Sequence, residues 1–102
     1  MMYVLIEYKG ERDIDEPTDV YVELDGERKE TRRIEFYPNG LCFSYGDEKG
    51  HEEVLRPDPY PEDLTELETD ENTFAHKITG RLFEEFWNKS IEMPDGFMSM
   101  FF

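Results

Sequence analysis

Residues 30–45 read ETRRIEFYPNGLCFSY, two alternating runs on either side of Asn39-Gly40. Asn-Gly is the strongest short hairpin cue, because a type I′ turn needs positive φ at both central residues. A two-residue turn fixes the register and predicts Phe36 opposite Phe43 and Ile34 opposite Tyr45. Those four side chains would then share one apolar face. Glu35, Tyr37, Cys42 and Ser44 would share the other, which is mostly polar. One buried face and one wetter face describe an antiparallel sheet that needs cover on one side.

Upstream, residues 3–8 (YVLIEY) are β-branched and aromatic and predict an opening strand. Residues 9–18 hold Gly, Pro and four acids and read as a loop. Residues 19–25 (DVYVELD) alternate, with Val20, Val22 and Leu24 facing one way and Tyr21 and Glu23 the other. That pattern is a half-buried strand, ended by a turn at Asp25-Gly26. Downstream, Thr79 is a fair N-cap. Leu82, Phe83, Phe86, Trp87 and Ile91 recur after it at helical spacing, opposite Glu84, Glu85, Asn88 and Lys89. This helix is expected to lay Phe83, Phe86 and Trp87 on the sheet, with Trp87 as a core anchor. Residues 73–78 (TFAHKI) read as one more strand and 62–67 as a short helical turn. The resulting fold is α+β: a mostly antiparallel four- to five-stranded sheet covered on one face by a C-terminal helix.

A chain of 102 residues supports one domain, here 1–92, followed by an apolar tail at 93–102 without periodicity. Apolar residues make up only 37% and aromatics 15%, so the core rests on a few large rings, each burying roughly 150–250 Å². With 26 acidic and 11 basic residues the formal net charge is −15, which repels nucleic acid and anionic membrane and attracts basic partners. A single cysteine, Cys42, allows no disulfide framework and fits a reducing cytoplasm. The N-terminus reads as a strand rather than a signal peptide. No stretch approaches the ~20 apolar residues of a membrane span. The expected location is cytoplasmic.

Catalytic signatures are sparse. His51 and His76 are the only histidines, and neither has a His-x-x-x-His or Cys-x-x-Cys companion that would suit zinc. Cys42 has no adjacent base or helix N-terminus to activate it. The serines lie in no Gly-x-Ser-x-Gly context, no Gly-rich phosphate loop is present, and the acidic runs lack the spacing of a calcium loop. Glu84 and Glu85 read as solvated on the outer face of the helix. The expectation is a binding protein with no turnover, no cofactor and no metal. Arg28, Lys29, Arg32 and Arg33 form a basic cluster, but residues 23–35 also hold five acids, for a local charge of −1. The cluster therefore reads as a salt-bridged sheet face rather than an anion grip.

The run Asp15-Glu16-Pro17, Tyr21, Glu23-Leu24-Asp25, Arg28, Glu30, Arg32, Glu35 and Gly40, closing on Phe83-Glu84-Glu85-Phe86-Trp87, resembles a family of small bacterial proteins of unknown function. Members of that family look like immunity proteins of polymorphic or contact-dependent toxin systems. The resemblance implies a 1:1 complex with a cognate, basic, nuclease-type toxin domain, and it carries over no site residues. The acidic segment 47–72 holds eleven acids against Lys49 and Arg56 and is the expected contact surface. Its candidate contacts are Asp47, Glu48, Glu52, Glu53 and Asp58, continuing through Tyr60, Glu62, Asp63, Glu66 and Glu68. The Met/Phe-rich tail suggests a weak homodimer. An alternative use of the same acidity is a phage or mobile-element anti-defence inhibitor, a DNA mimic blocking a nuclease. A third reading is a small hydrolase using His51 or His76 with nearby carboxylates.

Overall fold

In the computed structural model residues 1–92 are described; the tail expected at 93–102 lies outside the described residues, as do the side chains of Glu48 and Glu92. The alternating stretches become β1 (Met2–Tyr8), β2 (Asp19–Leu24), β3 (Glu30–Phe36) and β4 (Cys42–Tyr45). Three 3-10 turns follow, Asp47–Lys49, Glu52–Val54 and Leu64–Leu67. The chain then re-enters the sheet as β5 (Thr73–Ile78), forms α1 (Gly80–Lys89) and closes with the two-residue β6 (Ile91–Glu92). The sheet order is β5-β1-β2-β3-β4-β6. The first five strands pair antiparallel, and β6 adds parallel to β4. This is the expected α+β arrangement, with Thr79 capping α1 by accepting from the Leu82 N–H at 3.1 Å.

The hairpin differs from its expected register by one residue. Gly40 has φ +87°, but Asn39 has no positive φ, so no type I′ turn forms. Instead the Gly40 N–H reaches the Tyr37 carbonyl and the Tyr37 N–H reaches the Leu41 carbonyl, both at 2.9 Å. Pro38 explains the choice. Its ring presets the φ of about −65° wanted at the second position of an ordinary turn, and Gly40 then takes the left-handed position of a three-residue connection. The pairs become Arg33–Tyr45, Ile34–Ser44, Glu35–Phe43 and Phe36–Cys42. A slip of one residue sends each side chain of one strand to the other face. Ile34 and Phe36 therefore part company with Phe43 and Tyr45, and Cys42 lies on the face away from Tyr37.

Both faces of the sheet are covered. On one, Ile34 is fully buried with Phe83 and Trp87, and Tyr3, Tyr21, Phe36, Cys42, Ile78 and Phe86 pack around them. The Tyr21 and Phe86 ring centroids are 4.7 Å apart and those of Phe36 and Phe86 5.2 Å, edge-on. Trp87 is a core anchor, as expected. On the other face Val4, Ile6, Val20, Val22, Leu24 and Ala75 are buried under Tyr60, Leu64 and Leu67. The cover there is the acidic segment itself. The alternation of β2 therefore does not mark a half-buried strand: both of its sides are packed.

Candidate functional site

The acidic segment is fastened to the sheet at several points. Arg28 carries a left-handed backbone (φ 66°) at the end of the β2–β3 turn. Its Nε donates to the Tyr60 carbonyl at 3.0 Å and its Nη2 to the Pro61 carbonyl, while the Tyr60 N–H returns to the Arg28 carbonyl at 2.8 Å. Tyr60 is 3% exposed, and its hydroxyl donates to Glu30. Fully burying a side chain of this class stabilises by roughly 1.5–3 kcal/mol. Tyr60 is thus an anchor of the segment, turned inward rather than outward. Leu64 and Leu67 anchor the segment likewise.

Beneath the segment lies an ionic network. Glu30 accepts from the Tyr60 hydroxyl, from Arg33 Nη1 at 2.9 Å and from the Arg56 N–H at 2.9 Å. Glu35 accepts from Arg33 Nε and from the Tyr37 hydroxyl, each at 2.7 Å. The Glu30 side chain is 0% exposed and that of Arg33 18%. Burial and then the neighbouring carboxylates push the Tyr60 and Tyr37 phenols far above their ordinary value. Burial pulls the Arg33 guanidinium down, but Glu30 and Glu35 outweigh it and hold the group charged. Strict alternation would put Glu30 and Arg33 on opposite faces. A bulge in the β2–β3 pairing, where Glu23 faces Arg32 but Leu24 faces Glu30, brings them together. No residue in the sequence announces that bulge.

Of the basic cluster Lys29, Arg32 and Arg33 are salt-bridged, the two arginines on opposite faces of the sheet, whereas Arg28 donates to backbone carbonyls instead. Arg32 points toward the helix, paired with Glu23 at 2.6 Å and with Glu84, and its guanidinium carbon lies 4.8 Å from the Phe83 and Trp87 ring centroids. Glu84 is therefore an ion-pair partner and not merely solvated. Burial raises the Glu23 carboxyl, and hydrogen bonds from Arg32 and Thr31 overcome this to leave it below its usual range. Burial pushes the Cys42 thiol up to about 11, so it stays protonated at neutral pH. Among the described residues no group of three or more His, Cys, Asp or Glu side chains is placed to hold a metal. His76 is half exposed, with Nε2 3.5 Å from Glu7, and His51 Nδ1 lies 3.5 Å from Glu53.

What remains outward on the segment is carboxylate. Asp47, Glu52, Glu53, Asp58, Glu62, Asp63 and Glu66 are all exposed. Asp63 also caps the turn after it, accepting from the Thr65 N–H at 3.0 Å and from its hydroxyl at 2.6 Å. Glu68 is half-buried and accepts from the Ala75 N–H at 2.9 Å, which occupies a donor on the outer edge of β5. Seven of the ten expected contact residues are therefore exposed on the segment, while Tyr60 and Glu68 serve the fold and the Glu48 side chain is outside the described residues. Sequence reasoning missed the anchors Arg28, Glu30, Arg33 and Arg56, which meet the segment only through tertiary contacts. No helix among the described residues is long and apolar enough to cross a membrane. A family model described as a domain of unknown function (DUF6881) matches residues 2–92. No match is found among curated proteins or among solved structures.

Proposed function

We propose, from the premise that the chain belongs to this family of unknown function, that it is an immunity-type inhibitor. It binds a basic, nuclease-type toxin domain 1:1 and neutralises it without turnover. The observation that carries this reading is the anchored acidic segment. Seven carboxylates stand exposed along a segment that Arg28, Tyr60, Leu64 and Leu67 fasten to the sheet at its Tyr60–Leu67 end and the Arg56 N–H fastens to Glu30. A surface ordered before docking loses less entropy on binding, and opposite charge raises the encounter rate.

The test is to read the adjacent reading frames for a basic toxin-type domain, whose absence would count against the reading, and to titrate the chain against it by isothermal calorimetry. The expected result is 1:1 binding that weakens at least about tenfold between ~50 and ~500 mM salt, as the screening length shrinks from well above to well below ~10 Å. The quadruple change Glu52→Gln, Glu53→Gln, Asp58→Asn, Glu62→Gln should weaken it by a similar factor at low salt. Salt-independent binding that also survives the quadruple change would sink the electrostatic version of the reading.

A further inference from the structure

Between the sheet and the acidic cover lies a cavity of about 260 Å³, lined by Ile6, Tyr8, Arg33, Val54, Arg56, Tyr60 and Leu67. Val54 is 38% exposed, so the cavity reaches the surface on its side. In a chain of net charge −15, two arginines lining one cavity beside Ile6, Val54 and Leu67 are unexpected. Their hydrogen bonding shows what they have left to offer. The Glu30 and Glu35 oxygens are all engaged by protein donors: Tyr60, Arg33 and the Arg56 N–H on Glu30, Arg33 and Tyr37 on Glu35. Arg33 spends Nε and Nη1 on them, and Nη2 takes no acceptor among the described residues. The Arg56 guanidinium lies 4.8 Å from the Tyr60 ring centroid and has no carboxylate partner among the described residues. Arg33 and Arg56, which both line the cavity, thus keep donors that no acceptor among the described residues takes.

We propose that this cavity is a binding site for a small monocarboxylate with an apolar body. The planar Arg56 fork and the remaining Arg33 Nη2 match a carboxylate, while Ile6, Val54, Leu67 and the rings of Tyr8 and Tyr60 suit the rest of the molecule. A single negative charge fits better than a phosphate dianion. Arg33 is already shared by Glu30 and Glu35, which leaves Arg56 as the guanidinium without a carboxylate, so a second ligand charge would be desolvated without a cation to meet it. The volume lies at or below the lower end for drug-sized ligands, which limits the occupant to a small molecule. This site is independent of the outward carboxylates that carry the toxin reading.

The experiment titrates the full chain with sodium benzoate, following the Arg side-chain Nε–Hε and the methyl NMR signals, with neutral benzamide as control. Saturable shifts confined to Arg33, Arg56, Ile6, Val54 and Leu67, with a Kd below about 10 mM, are expected. Benzamide should bind at least about tenfold more weakly. Arg56→Gln should weaken benzoate by a similar factor with only the small fall in Tm that losing its stacking on Tyr60 brings, because no buried carboxylate is left unpaired; Arg56→Lys should recover part of the benzoate loss. Equal binding of benzamide, full-strength binding by Arg56→Gln, or shifts that do not saturate and appear equally at the exposed Arg81 would each overturn the proposal.

Discussion

Arg33 is the cation shared by two carboxylates that the fold largely removes from water. Glu30 is fully enclosed and Glu35 nearly so, and both direct oxygens at the same guanidinium. Breaking a buried pair from one side costs more than the pair contributes, because the remaining charge is stranded. Arg33→Met is therefore expected to destabilise by about 3–5 kcal/mol, a large share of the roughly 5–15 kcal/mol available to a domain. Tyr60→Phe keeps the ring and removes only the hydroxyl donated to Glu30, a hydrogen bond to a charged group with a net worth of about 1.5–3 kcal/mol. Urea unfolding of the two variants should give that order. A loss under about 1 kcal/mol for Arg33→Met would mean that water reaches Glu30 and Glu35 and that the network is a surface one.

The turns decide which face each strand shows, and two glycines separate the causes. Gly40 (φ +87°) has nothing within 4 Å of where a Cβ would stand. Gly46 (φ +92°) would place its Cβ 2.5 Å from the Thr31 carbonyl oxygen. Gly40→Ala should cost only the left-handed backbone strain, about 1–2 kcal/mol. Gly46→Ala adds a clash with backbone that cannot rotate away and should cost clearly more, above about 3 kcal/mol. Equal losses in denaturant titration would show that strain alone governs both sites. The same hairpin marks the limit of what the sequence makes legible. Period-two alternation in 3–8, 19–25 and 34–36 and the helical spacing of Phe83, Phe86 and Trp87 carry enough signal to place strands, helix and the Trp87 anchor. They do not carry register, because Pro38 and Asn39-Gly40 favour connections that differ by one residue, and Pro38 prevails. Nor does alternation show that Val20, Val22 and Leu24 are roofed by Tyr60, Leu64 and Leu67. Those residues sit in a proline-rich acidic stretch whose composition resembles a solvated loop. Of the candidate site, the exposed carboxylates were legible from charge alone. The anchors beneath them depend on the bulge between Glu23 and Leu24 and on the left-handed Arg28, which are tertiary facts.

For the molecule as a whole, the charge of −15 repels itself, and exposed pairs such as Arg81–Glu85 at 4.0 Å return at most ~1 kcal/mol each. Added salt screens that repulsion over the ~8 Å Debye length of physiological solution, so Tm should rise with ionic strength near neutral pH. Acid acts in two opposed stages. Between pH 7 and about 5 the most easily protonated surface carboxylates begin to lose charge, repulsion falls, and stability should rise or hold. Lower still, Glu23 reverses the trend. Its folded carboxyl lies below the ordinary 4.5, so its contribution is fully present above that value and is lost as pH falls through the depressed one. On the alkaline side the sign is opposite. Burial raises Tyr45 from 10.0 to about 12, so its contribution is fully present below pH 10 and is lost as pH climbs to about 12. Thermal unfolding from pH 3 to 11 at ~20 and ~300 mM salt should show a maximum on the acid side of neutrality that flattens at high salt. A Tm that falls steadily from pH 7 to 5 at low salt would mean that paired carboxylates, not net repulsion, set the stability of this domain.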